Sequence, residues 1–484
     1  MRHTIGLLAA AMSVLVPLGC TERTSRTTRA DADVAITESP EEARAIAQEA
    51  YVYAYPMLEN YRTLYTQAVD RNATGYQGPF NELVHRNQLL DPSFKDIVRP
   101  NNDTLYSFAW LDLRSQPVVV TVPEIGDRYY SVQLIDMFTN NIGYVGTRTT
   151  GAQAGSYLVS GPRWQGTRPA NVAGEIASGS EFVYCIIRTE VRGPDDVANV
   201  TALQKQVHVT PLSVFLGRPH GPGAAGLTFP RYQAKKARSF AFIDYLNFLL
   251  EEVETPAGEA SMLARFRKIG ISPGAVSEST RLPPPIRDAI NAGVGTALIE
   301  ISKAALNLGP LEGVVARSSP SWVGSVGIFG DPSEMAGRYL VRAGAAMVGL
   351  YGNDAEEAYY PFGNADDSGD ALDGAKHRYV MKFAKNELPP VDAFWSMTMY
   401  GLPNQLMVEN PINRYSIGDR SNLGYDEDGS LTIYVQHEAP KEGHRQNWLP
   451  APAGPFSLQF RMYLPAEEAI EAPLYLPPGI ERVR

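Results

Sequence analysis

Apolar residues recur at three- and four-residue spacing from Ile46 through Ala50, Tyr53, Met57, Tyr61 and Leu64 to Ala68. That spacing places them on one face of a long helix. Ser39 is positioned to cap its start, Pro40 suits the first helical position, and Glu42 completes a capping box. Pro56 is expected to kink the helix. Residues 71–100, punctuated by Gly, Pro and Asn, read as loop. From 104 to 191 the period shortens to two. Tyr130, Val132 and Leu134 alternate with Ser131 and Gln133, and Phe182, Tyr184 and Ile186 alternate with Val183, Cys185 and Ile187. Residues 118–122 form one continuous β-branched run. Short strands with turns between them predict an antiparallel sandwich.

The pattern returns to helical spacing over 240–253, 260–269, 285–308 and 332–350. An acidic, Gly-containing stretch at 363–374 reads as a linker. Beyond Tyr379 strands resume: Leu431, Ile433 and Val435 alternate with Thr432, Tyr434 and Gln436, and Phe456, Leu458, Phe460 and Met462 alternate with Ser457, Gln459, Arg461 and Tyr463. Asp428-Gly429 is a hairpin turn signal ahead of the first of these. About one hundred residues of such strands fit a jelly roll or related sandwich. The expectation is therefore an α+β multi-domain chain. A helix and β-sandwich occupy 39–194, a helical domain 195–362, a linker 363–378 and a jelly-roll β domain 379–484.

The first residues read as an address. Met1-Arg2-His3 is a short positive region, Ile5 to Val16 an apolar one too short to span a bilayer comfortably, and Leu18-Gly19-Cys20 resembles a bacterial lipobox. Residues 1–19 are expected to be a signal peptide, Cys20 the lipidated residue, and 20–38 a flexible tether. Export to the cell envelope or periplasm, with anchoring through an N-terminal lipid, follows. The formal net charge of −10 and the absence of a basic stripe exclude nucleic acid as a partner. The other cysteine, Cys185, lies in an apolar run and reads as a buried, inert thiol.

Several longer phrases carry more. They are Arg99-Pro-Asn-Asn-Asp-Thr-Leu-Tyr106, Tyr129-Tyr-Ser-Val-Gln-Leu-Ile-Asp136, Phe394-Trp-Ser396, Asn410-Pro-Ile-Asn-Arg-Tyr-Ser416, Asp428-Gly-Ser430 and Asn447-Trp-Leu-Pro-Ala-Pro452. Together they resemble a bacterial and fungal family, many of its members exported, built from two adjacent domains of unknown function. The resemblance runs from about residue 41 to the C-terminus. It implies an N-terminal immunoglobulin-like β-sandwich, a helical middle domain and a C-terminal jelly-roll sandwich. It brings no catalytic residues with it.

Motifs of known chemistry are weak. Gly221-Pro-Gly-Ala-Ala-Gly226 matches the dinucleotide fingerprint by letter, but no strand precedes it and no helix follows. The seven histidines are scattered without metal-ligand spacing, and no Gly-x-Ser-x-Gly elbow occurs, so neither a metal nor another cofactor is expected. Two segments stand out. In the first, Arg99, Asn101 and Asn102 offer donors beside Asp103, a candidate base, with Tyr106 close by; Asx turns explain the same residues structurally. In the second, strand geometry puts Phe394, Ser396, Thr398 and Tyr400 on one face, a mixture of aromatic and hydroxyl groups suited to lining a pocket. Asn413 and Arg414 follow. Arg414 either pairs with Asp419 or faces a ligand carboxylate or oxyanion.

Three readings compete. In one, Asp103, Tyr106 and Arg414 converge in an inter-domain cleft as a cofactor-independent hydrolase or lyase. In another, the cleft only captures a small organic ligand such as a sugar or aromatic acid, with Arg99, Asn101, Asn102, Ser396, Thr398, Tyr400 and Asn413 binding it. In the third, the polar motifs brace domain interfaces. The partners expected are a small molecule and the membrane, and a homo-oligomer is an admissible assembly.

Overall fold

The computed structural model describes residues 36–483 apart from 96–98, 220, 222–225, 257, 276 and 277. The expected signal peptide, Cys20 and most of the tether lie outside the described residues, as does the middle of the Gly221–Gly226 loop. The fold is α+β, with helices and several largely antiparallel sheets.

The first helix runs Pro40–Leu64 without interruption through Pro56 and ends in a π turn, Tyr65–Val69. The Ser39 hydroxyl caps it by accepting from the Glu42 amide at 3.2 Å. The reciprocal half of the capping box does not form. The Ser39 amide donates to Thr37 instead, and the Glu42 carboxylate pairs with Lys268 at 2.6 Å. All seven periodic residues are buried, and so are Tyr51, Val52, Ala54, Tyr55 and Leu58 on the other sides. The helix is enclosed by the helices Phe242–Glu251, Pro284–Leu306 and Tyr339–Gly349 and by a sheet. Gly293 is where two long helices touch: a Cβ there would lie 2.5 Å from the Arg44 carbonyl oxygen and 2.9 Å from Ala47 Cβ.

The strands between Val84 and Pro211 build a sandwich. In chain order they are β1 Val84–His85, β2 Thr104–Asp112, β3 Val118–Val122, β4 Tyr130–Ile135, β5 Asn141–Gly146, β6 Gly155–Ser160, β7 Gly174–Ala177, β8 Phe182–Glu190 and β9 His208–Pro211. One sheet has the order β1-β2-β8-β4-β5 and the other β7-β6-β3-β9. Val118, Val120 and Val122 face Val132, Leu134, Val183, Cys185 and Ile187 across their shared core. Alternation assigns the opposite face of the larger sheet to the helices: Trp110, Phe182, Tyr184 and Ile186 pack in the helical core. Cys185 is fully buried and unpaired, and burial pushes its thiol up to about 12.

A second sandwich is built from β10 Val315–Ser318, β11 Trp322–Val326, β12 Ala358–Tyr359, β13 Phe362–Gly363, β14 Arg378–Phe383, β15 Val391–Gly401, β16 Ser416–Gly418, β17 Leu431–Gln436, β18 Trp448–Pro450, β19 Phe456–Pro465 and β20 Glu481–Val483. Its larger sheet is ordered β10-β11-β13-β19-β15-β16 with β12 beside β19, and its smaller one β18-β17-β14-β20. Met397, Met399, Phe460 and Met462 pack against Met381, Phe383, Ile433 and Val435.

The expected division of the chain shifts accordingly. The N-terminal helix joins the helical layer, because its middle, Ala50 to Leu58, is buried on every side. Strands from 315–363, assigned to the helical domain by sequence, complete the second sandwich. Residues 363–374 are no free linker: Gly363 pairs with Trp322 and Leu458, and Asp366 is buried in an ion pair with Arg482.

Candidate functional site

Side chains alternate along β15 as its sequence predicts, but the face expected to line a pocket is covered. Trp395, Met397 and Met399 enter the core of the second sandwich. Phe394, Ser396, Thr398 and Tyr400 face the other way and are all buried. What covers them is the other highlighted segment, Arg99–Thr104, at the start of β2. The two segments meet, but they meet in mutual bonds.

Asp103 lies at the centre, buried to 2% exposure. Its Oδ2 accepts from Ser396 Oγ at 2.6 Å and from the Tyr463 hydroxyl at 3.4 Å. Its Oδ1 pairs with Arg420 Nη2 at 3.1 Å. Arg420 Nη1 also donates to the carbonyls of Asp103 and Val191, and its guanidinium lies 3.5 Å over the Phe394 ring. Asn101 forms an Asx turn, its Oδ1 accepting from the amides of Asp103 and Thr104, while its Nδ2 donates to Tyr463. Asn102 Nδ2 donates to the Leu90 carbonyl, and its Oδ1 accepts from Ser416. Arg99, at φ 51°, donates from Nε to Gln405 Oε1 at 2.6 Å and stacks 4.1 Å over Phe362. Arg461 fixes the rest, donating to Thr398 Oγ1 at 2.8 Å, to the Tyr400 hydroxyl at 2.9 Å and to the Arg99 carbonyl at 3.0 Å. Tyr400 in turn donates to the Pro100 carbonyl at 2.7 Å. Burial raises the phenols of Tyr400 and Tyr463, with Asp103 adding to the rise in both. Beside this polar clasp is an apolar patch: Tyr129, Phe394, Tyr463 and Leu464, with the Phe394 and Tyr463 rings stacked at 4.1 Å. The clasp and patch join the first sandwich to the second.

Arg414 and Asn413 do not join Asp103. Arg414 Nη1 donates to the carbonyls of Arg445, Gln446 and Trp448 at 3.1, 3.0 and 2.8 Å, and Asn413 is exposed, its Oδ1 accepting from Tyr415. Arg414 does not pair with Asp419 either. The Asp419 carboxylate accepts from the Trp395 amide. The expected convergence of Asp103, Tyr106 and Arg414 is therefore corrected: three backbone carbonyls satisfy Arg414 locally.

Tyr106 has a different setting. It shares the helix-facing side of β2 with Phe108 and Trp110, and its cross-strand partner on β8 is Arg188. The rings form a ladder: Tyr106 on Phe108 at 5.4 Å, Phe108 on Tyr184 at 6.1 Å, Tyr184 on Trp110 at 4.4 Å, each nearly parallel. The inner end is in the core; Tyr106 and Phe108 are only partly buried. Arg188, 7% exposed, stands 5.5 Å over Tyr106. Its Nη1 donates to Gln133 Oε1 at 2.6 Å and to Asn353 Oδ1 at 3.3 Å, and its Nη2 to the Tyr351 carbonyl at 3.4 Å. Asn353 Nδ2 donates to the Tyr360 hydroxyl, and Gln133 Nε2 to Asn141, which donates to Asp354 at 2.6 Å. Burial lifts Asp354 to about 7.

Sequence reasoning missed Arg188, Arg461, Tyr463 and Asn353, and placed Arg420 at the end of the second segment without giving it a role. One had a signal. Arg188 is a charge in phase with Phe182, Tyr184 and Ile186 on a strongly apolar strand, and a charge there needs a special partner.

Two family models match this chain: a protein of unknown function (DUF1254) over residues 80–211, and a protein of unknown function (DUF1214) over residues 357–467. The first falls on the first sandwich and the second on most of the second, so the clasp joins one to the other. Among solved structures, the VPA0106 protein from Vibrio parahaemolyticus is 28% identical, with a TM-score of 0.73 over 91% of this chain and 100% of that one. An uncharacterized protein from Burkholderia cenocepacia is 14% identical, with a TM-score of 0.41 over 90% of this chain and 88% of that one. No curated protein matches.

Proposed function

We propose that this chain, which pairs DUF1254 with DUF1214, is an envelope-anchored binding protein for a small organic molecule, held against Tyr106 and Phe108 where the sandwiches meet the helical layer. The observation that carries this reading is the partly exposed end of the aromatic ladder beside a buried guanidinium and fixed amides. Apolar rings with a few oriented polar groups are the usual composition of a small-molecule site. Asp103, the base of an enzymatic reading, is engaged on both oxygens by Arg420, Ser396 and Tyr463, which favours capture over catalysis. The envelope setting is supported by the charged start, the apolar stretch and Leu18-Gly19-Cys20. Cys20→Ala should move the protein from the membrane fraction to the soluble one.

The binding test is a thermal-shift and fluorescence titration with a panel of sugars, aromatic acids and aliphatic acids. One class should raise the melting temperature, and Tyr106→Ala with Phe108→Ala should weaken that ligand at least about tenfold, the loss expected when stacking area is removed. If the double variant binds as tightly as the unaltered protein, the ligand does not lie on this ladder.

A further inference from the structure

Arg188 poses a problem that the other arginines of the interface largely avoid. Arg420 has Asp103, and Arg461 lies close enough to feel the same carboxylate. Among the described residues no carboxylate lies within 4 Å of Arg188. Its acceptors are an amide oxygen of Gln133, an amide oxygen of Asn353 and the Tyr351 carbonyl, all neutral. The hydroxyls of Tyr106, Tyr360 and Tyr129 are its other polar surroundings. Neutral acceptors satisfy N–H groups but leave the charge uncompensated, and an isolated buried charge is costly.

The surroundings are also held in place. Gln133 Nε2 is bonded to Asn141 and to the Gly352 carbonyl, and Asn353 Nδ2 to Tyr360. These bonds fix which atom of each amide faces Arg188. The partly buried rings of Tyr106, Phe108, Tyr351 and Tyr360 stand around this point. The Tyr129 hydroxyl is spent on the Glu357 carboxylate at 2.8 Å, which leaves those of Tyr106 and Tyr360 as the phenol donors beside Arg188. A guanidinium with planar donors, flanked by two such hydroxyls, matches a carboxylate better than a spherical anion.

We infer that Arg188 is an anion subsite and that the ligand is a small organic monocarboxylate, its acid group on Arg188 and its apolar body on Tyr106 and Phe108. This rests on the ladder being the binding surface, and it adds the ligand's charge and orientation. A single guanidinium matches a single negative charge. Tyr106 then has two tasks, its ring bearing the apolar body and its hydroxyl joining the acid group.

The experiment is calorimetric titration of the whole mature protein with phenylacetate, 4-hydroxybenzoate and hexanoate, each against its own primary amide. At least one acid should bind, and its amide should bind at least about thirtyfold more weakly, the loss typical when a buried charge loses its partner. Arg188→Gln should abolish the discrimination between acid and amide. Should Arg188→Gln fail to fold, Tyr106→Phe serves: it keeps the ring, and should weaken the acid about tenfold while leaving the amide unchanged. An acid and amide that bind equally well would overturn the anion subsite and leave the aromatic surface standing. If none of the six compounds binds, and the wider panel of sugars and acids is silent too, the surface itself is refuted and the subsite with it.

Discussion

Asp354 shows how much a single side chain's setting differs from its type. Burial lifts its carboxyl from the ordinary 3.8 to about 7, while the Asn141 amide works the other way. An acid raised in the folded chain holds its proton more tightly there than in the unfolded chain. The stability it contributes is complete below pH 3.8 and is lost as pH climbs through about 7. Asp136, raised by burial to about 6, acts with the same sign. Asp354→Asn keeps the shape and the Asn141 contact but removes the titration. Urea midpoints measured from about pH 4 to 8 should fall more gently in the variant than in the unaltered protein. An unchanged slope would mean that Asp354 is ionised without cost, against its burial. The same contrast explains the misplaced Arg414. Its residue type suited a ligand carboxylate, but three carbonyls from 445–448 reached it first.

At the scale of elements, periodicity did most of the work. The helical stretches 240–253, 260–269 and 285–308 correspond to the helices Phe242–Glu251, Ala260–Phe266 and Pro284–Leu306. The 332–350 stretch starts its helix only at Tyr339, because Asp331 and the residues after it turn back on themselves. Pairing between helices was not legible. Gly293 reads as an ordinary helix-weakening glycine, yet it is where Pro284–Leu306 packs on Pro40–Leu64. A Cβ at 2.5 Å from the Arg44 oxygen must push the helices apart. Gly293→Ala gains helix propensity but should lower stability by about 1–3 kcal/mol, the usual cost of overpacking. Gly295→Ala, two residues on with open space around it, is the control and should be neutral or stabilising. Thermal melts that rank the two variants alike would remove the close-contact argument.

For the whole molecule, the clasp matters most. Asp103 and Ser396 are 293 residues apart in sequence, and their hydrogen bond, with the Arg420 pair, ties the first sandwich to the second. Asp103→Ala leaves the half-buried Arg420 without its carboxylate and should cost about 2–4 kcal/mol, somewhat less than a fully buried orphaned charge. Ser396→Ala removes one neutral donor and should cost about 1–2 kcal/mol. Denaturant unfolding of the two variants would test this ordering. An Asp103→Ala protein as stable as the unaltered one would free Asp103 for the catalytic role that its bonds now argue against.

By itself the sequence determined the elements and their inward faces, since a helix or strand must repeat its apolar residues at its own period to bury one side. It also marked the two segments that meet, Arg99–Tyr106 and 394–400, because runs of hydrogen-bonding groups beside strands are unusual. Only the tertiary structure decided what those groups do. Whether a buried polar side chain binds a ligand or its neighbour depends on which distant residue arrives opposite it. Tyr463 and Arg461 come from β19, Arg420 from the turn after β16, and no local spacing announces their approach to Asp103. The same holds for Arg188, a lone charge in an apolar strand by sequence, whose want of a counter-charge emerged only when every neighbour was in place.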